Sequence, residues 1–133
     1  MSLTTERKII ENHISANLAD LQIEYEDLKI TPALDPWLQV NILNGQEVQK
    51  SAGTPGTNIV RAVGVLAVRV NVLAGRGSNA FRVVADRVMD LFRNVELENI
   101  RFMIPYVSGG FQTVGNYSQW TIMCPFTRDE FNG

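Results

Sequence analysis

Two runs of β-forming residues, Trp37–Leu43 and Ile59–Leu73, stand on either side of a polar, glycine-bearing stretch. The second run has two unlike faces. Val60, Ala62, Gly64, Leu66, Val68, Val70 and Val72 alternate along one and are apolar or small throughout. The other reads Arg61, Val63, Val65, Ala67, Arg69, Asn71, Leu73: an apolar centre with an arginine at each end. A strand with one face in water alternates cleanly between apolar and polar residues. This second apolar patch therefore predicts a surface that a partner covers.

The same periodicities place the other elements. Ile10, Ile14, Leu18 and Leu21 recur at helical spacing, predicting an amphipathic helix from Thr4 to about Leu21, with Glu6, Lys8, Glu11 and Asn12 on its polar side. Ser2, Thr4 or Thr5 suits its cap. A short extended piece is expected around Ile23–Tyr25. Thr31-Pro32 and Asp35-Pro36 then break regular structure ahead of the first long strand. Gly75–Ser78 turns into a second helix, with Phe81, Val84, Ala85, Val88 and Phe92 as its apolar stripe. Shorter strands follow at Ile100–Ile104 and Tyr106-Val107, the latter a separate strand or one bent at Pro105. Ser108-Gly109-Gly110 reads as a turn, with strand resuming near Phe111–Val114. In the last strand Trp120, Ile122, Cys124 and Phe126 share a face, and Pro125 predicts a sheet edge or a bulge.

Asn44-Gly45 suits a tight turn, yet the next strand begins well beyond it. Gln46–Asn58 (QEVQKSAGTPGTN) is about as long as ordered loops become before they are either mobile or functional. It suits a mobile hairpin tip, or an arm that orders on a partner through Gln46, Glu47, Gln49, Lys50, Thr54 and Asn58. The expected fold is α+β: one domain over residues 1–133, with a mostly antiparallel mixed sheet of five to six strands and two helices on one face.

Composition narrows the function. The 133 residues are 45% hydrophobic and 20% charged, ordinary for a globular domain. No apolar run approaches the ~20 residues that span a bilayer. The polar start, MSLTTERKII, lacks a signal peptide's apolar core and predicts a chain that stays in the cytoplasm of the cell making it. The net charge of −2, with both signs interspersed, does not favour specific nucleic-acid binding.

Candidate chemistry is thin. Cys124 is the one cysteine, on an apolar strand face, and excludes an intrachain disulfide or a cysteine-rich metal site. His13 is the one histidine and reads as a packing or surface residue. Trp37 and Trp120 read as core or interface anchors. The clusters Glu24, Glu26, Asp27 and Arg128, Asp129, Glu130 lie at element ends, where solvated charge is the default.

Gly75-Arg76-Gly77-Ser78-Asn79-Ala80 fits the G-x-G-x-x-G/A pattern of a dinucleotide-binding turn, with Glu96 and Glu98 about where a ribose-binding acid is sought. Its context is wrong, because the preceding strand belongs to a hairpin and the chain has no room for a βαβαβ half. No cofactor, metal or catalytic residue is expected, and no enzyme.

The order of elements resembles the tail terminator (tail completion, lambda U-like) family of long-tailed bacteriophages across nearly the whole chain. The likeness rests on the proline-rich entry TPALDPWLQVNIL, the strand and small-residue turn VLAVRVNVLAGRGS, the helix rhythm ADRVMDLF and the closing strand WTIMCPFTRDEF. Other neck, head–tail joining or minor tail proteins share this outline. The resemblance implies a structural virion protein at the head-proximal end of the tail. It would form a ring, typically a hexamer, that caps the tail tube protein, stops its polymerisation and presents a surface to the head connector, with DNA passing through. No individual family residue maps onto this chain. Arg61, Val63, Val65, Ala67 and Arg69 are then candidate subunit-interface residues.

Overall fold

The computed structural model describes residues 3–26, 36–49, 58–73, 75, 79–114 and 117–132. Helix α1 (Leu3–Asn17) precedes strands β1 (Gln22–Glu24), β2 (Trp37–Gln49) and β3 (Asn58–Leu73). Helix α2 (Asn79–Phe92) and strands β4 (Glu96–Leu97), β5 (Ile100–Phe102), β6 (Tyr106–Val114) and β7 (Tyr117–Asn132) follow. The seven strands form one sheet in the order β1-β2-β3-β7-β5-β4, with β6 also paired to β7. All pairings are antiparallel except β1 on β2. The α+β architecture is as expected. Two very short strands, β1 and β4, raise the count above five or six.

β3 and β7 are the spine. They pair along their whole length, from Asn58↔Asn132 to Leu73↔Tyr117. Pro125 neither ends β7 nor marks an edge: it sits opposite Val65 in the middle of the sheet. An antiparallel residue points its N–H and C=O to the same neighbour. The Pro125 carbonyl accepts from Met103 N–H, between the end of β5 and the start of β6. The missing N–H would have met the Met103 carbonyl, which accepts from Asn94 N–H at 3.2 Å instead, so the proline leaves no acceptor stranded.

Both helices roof one face. Ile10, Ile14 and Leu18 from the α1 region and the expected stripe of α2 pack on Leu38, Val40, Ile42, Leu66, Val68, Val70, Val72, Ile122, Cys124 and Phe126. Inside this core Phe92 meets Phe102 at 4.8 Å, and Phe102 meets Phe126 at 5.4 Å between centroids. Gly64 makes room for the last ring, since a Cβ there would come 2.5 Å from Phe126 Cζ. α1 ends at Asn17, short of Leu21, although Leu18 N–H still bonds Ile14 O at 2.8 Å. Asn94, just past α2, has φ 53°, a left-handed position that asparagine tolerates at a helix C-terminus.

Two charged residues expected in solvent are in the core. Glu6 and Arg128 are each about 1% exposed; Arg128 Nε donates to Glu6 Oε1 at 3.1 Å, and Asn44 Nδ2 donates to Glu6 Oε2 at 2.9 Å. Glu6 lies four residues before Ile10, on the buried stripe, and Arg128 follows Ile122, Cys124 and Phe126 in the inward alternation. Their register buries them, and each other's charge makes that tolerable. The Glu24 and Glu26 carboxylates, also expected in solvent, instead accept from Gln39 Nε2 (3.0 Å) and Ile42 N–H (3.1 Å), tying the chain after α1 to β2.

The polar stretch between the long strands is shorter than its sequence suggests. β2 continues to Gln49 and β3 begins at Asn58, while a register shift between Asn44 and Glu47 replaces a turn at Asn44-Gly45. Backbone ladder bonds do not depend on side-chain polarity, so a polar segment extends an existing hairpin. Gly45 belongs in the irregular step: a Cβ there would lie 2.9 Å from Val63 Cγ2. Ser108-Gly109-Gly110 is likewise not a turn but a shifted step within β6, with Gly109 at φ 73°.

Gly64→Ala is expected to cost on the order of 1–3 kcal/mol by overpacking Phe126, read as a lower urea midpoint. Glu6→Ala, which removes the buried carboxylate bonded to Arg128 and Asn44, is expected to cost roughly 3–5 kcal/mol in the same measurement.

Candidate functional site: the open face of the sheet

The helices leave the other face of the sheet uncovered, and the odd-numbered residues of β3 and β7 point to it. Val63 is 41% exposed, Val65 and Ala67 are half-buried, Arg61 is half-buried and Arg69 is exposed. No element of the described chain encloses them. Register brings further apolar residues alongside. Leu43 (52% exposed) is opposite Val65, Met123 is between Ala67 and Tyr106 (51% exposed), and Pro125 is opposite Val65 near Met103 (41% exposed). The apolar centre therefore spans β2, β3, β7 and the β5–β6 connection. Leu43, Met103 and Tyr106 become visible as part of it only once strand order is known.

The two ends of the face differ. At one, Arg61 Nε and Nη2 donate to the two Asp129 carboxylate oxygens at 2.7 and 2.8 Å, beside Glu96, Glu98, Asn99 and Arg101 in a shallow depression. These bonds hold the Arg61 guanidinium above its ordinary range. At the other end is a cleft of about 490 Å³, where Leu43, Ala67 and Met123 meet Arg69 and the neutral polar groups of Asn41, Gln112, Gln119 and Thr121. Beyond it an amide chain crosses the sheet. Gln119 Nε2 donates to Asn71 Oδ1 at 2.7 Å, and Asn71 Nδ2 donates to Gln39 Oε1 at 3.4 Å and to Trp37 O at 3.5 Å. Asn71 is buried by this packing, with Trp37 edge-on to Tyr117 at 5.8 Å. The face closes over itself there and opens towards Val63.

The remaining candidates fall outside this face. Cys124 is buried in the core, and burial pushes its thiol up to about 12. His13 Nε2 lies 3.2 Å from Leu91 O and its ring packs edge-on to Phe92, a packing role. Trp120 packs on Phe81 at 4.6 Å with its Nε1–H on Gly109 O. Of the glycine-rich turn, Arg76, Gly77 and Ser78 lie outside the described residues. β5, the strand that follows α2 in parallel with β3, is separated from β3 by β7, so the adjacent βαβ pair of a dinucleotide site is not formed. Among the arm candidates Gln46 is exposed, the backbones of Glu47 and Gln49 pair with Ala62 and Val60, and Asn58 opens β3. Lys50 and Thr54 lie outside the described residues.

A small α+β subunit with an uncovered sheet face, apolar in the middle with Arg61 and Arg69 at its ends, has the surface anatomy common in proteins that contact other macromolecules. Comparison with known proteins gives the class a name. The family described as phage tail terminator protein matches residues 7–124, and the chain belongs to that family. It is thus a structural protein of the phage tail, located in the virion among other tail proteins. No curated protein matches the chain. A solved structure known only by a sequence identifier shares the fold at TM-score 0.63 and 18% identity, over 96% of this chain and 97% of that one.

Raising the Cys124 thiol from 9.0 to about 12 leaves almost no thiolate at pH 8. Iodoacetamide should label the denatured chain and spare the native one. Because the unfolded thiol ionises first, the stability due to this burial is fully present below pH 9 and is lost as pH rises towards 12.

Proposed function

We propose that the chain is a tail terminator subunit that assembles into a ring, hexameric as the family resemblance implies, with the open sheet face as a subunit interface. The ring caps the tail tube protein, halts its polymerisation and offers its other side to the neck protein of the head, while DNA passes through the centre. Membership of the terminator family supports the class. The observation that carries the assembly is Val63: a β-branched apolar side chain at the middle of the longest strand pairing, 41% exposed, with Leu43 and Met103 exposed around it. An apolar centre with a charged margin is the usual anatomy of a protein interface. Arg61, Val65, Ala67 and Arg69 complete the surface. A ring contact is heterologous, so a different surface of the next copy must fit it. Gln46–Asn58, at the tip of the β2–β3 hairpin, is the proposed arm towards the tube, the lumen or a neighbour.

Sedimentation with light scattering should show concentration-dependent assembly of the wild type and capping of purified tail tubes. Val63→Lys should remain monomeric with a thermal midpoint close to that of the wild type, because a side chain 41% exposed in the free subunit leaves the lysine amine a path to water. A wild type that stays monomeric and leaves tube length uncontrolled would exclude the reading.

A further inference from the structure

Resting on that ring reading, we propose that the surface filling the open face is helix α2 of the next copy, with Val83 seated in the cleft and Asp86 paired to Arg69. Val83 is 54% exposed on the outer side of α2, away from the core stripe. It is the one large apolar residue exposed in mid-helix among the described residues; Leu3, the other exposed helical one, is at the start of α1. One turn on, Asp86 is exposed and has no ion pair among the described residues. Its helix neighbours are already engaged. Arg87 is held by Asp20 through bonds of 2.8 and 2.9 Å, Asp90 is bonded to Arg93 at 3.0 Å, and Arg82 lies over the Trp120 ring at 5.1 Å. The outer side of α2 thus presents one apolar knob and one uncompensated acid.

The cleft presents the converse. Arg69 is its one charged lining residue and has no ion pair among the described residues; Leu43, Ala67 and Met123 beside it form an apolar floor. The spacings agree. Val83 and Asp86, three apart on a helix, are about 5–6 Å apart at Cβ. Ala67 and Arg69, two apart on a strand, are about 7 Å apart. A helix laid on the sheet can therefore seat the knob and the acid together. α1 does not fit, because its exposed side carries Arg7 and Lys8, which would meet Arg69 with like charge. Cleft and helix lie on opposite faces of one subunit, so each copy offers α2 to one neighbour and its cleft to the other. That is the head-to-tail relation a ring needs.

A charge exchange in the full-length chain tests this by sedimentation velocity. Arg69→Glu and Asp86→Arg should each weaken self-association about tenfold or more, with thermal midpoints unchanged, and the double variant should recover most of the loss. If the wild type assembles and both single variants assemble equally well, or the double variant fails to recover, the α2 contact is wrong and the ring reading stands. If the wild type does not associate at all, both fall.

Discussion

Two helices of 15 and 14 residues can roof one side of a seven-stranded sheet and no more. Neighbouring helices pack 8–10 Å apart, so the pair covers a layer roughly 20 Å wide, and a second layer would need two further helices. That limit decides the rest. The inward alternation is buried from Leu38 to Ile42, from Ala62 to Val72 and from Ile122 to Arg128, including a glycine hollowed for Phe126 and an arginine matched to a helix glutamate. Among the described residues the outward alternation meets only the amide chain around Asn71 at one end and the Arg61–Asp129 pair at the other. The apolar residues left between those ends are the ones the proposed subunit contact would cover.

The buried Glu6–Arg128–Asn44 group lies where the two regimes meet. It joins the first turn of α1 to the far part of β7 and to the irregular step in β2. Replacing such a pair by apolar residues is often neutral for stability, whereas breaking it is costly. Its value here is positional: with both partners desolvated, one register of α1 against the hairpin base satisfies them, and slipped ones do not. The proposed arm thereby extends from a fixed base.

Much of this was legible in the residues. The helical stripes of Ile10, Ile14 and Phe81–Phe92 and the alternation of Ile59–Leu73 gave both helices, the long strand β3 and the side of it left open, because each pattern is local. What escaped was set by pairing. Polar Gln46–Gln49 became strand because β3 was available to ladder with it. Ser108–Gly110 stayed in β6 for the same reason, despite a glycine pair that locally spells a turn. Pro125 was misjudged as an edge signal because its cost depends on pairing: the Met103 carbonyl that loses its N–H accepts from Asn94 N–H instead. Arg128 and Glu6 were misjudged by residue type, although their register already put them among Ile10 and Phe126. The breadth of the open patch needed strand order, since Leu43, Val63 and Met103 are remote in sequence and adjacent only across the sheet.

The strength of the proposed contact bears on its biology. Burying a large apolar side chain fully is worth about 1.5–3 kcal/mol. Leu43, Val63, Met103 and Tyr106 are already about half covered, so together they offer on the order of 3–6 kcal/mol. Association costs an estimated 4–15 kcal/mol in lost freedom before any contact counts. A free pair of subunits held by this patch alone is therefore weak. Bound side by side on the end of a tube, the same subunits meet at high effective concentration, and each has two neighbours instead of one. A half-covered patch, too small for a tight dimer, suits the proposed subunit, which would associate only at high concentration when free and close its ring readily where a tube has ended.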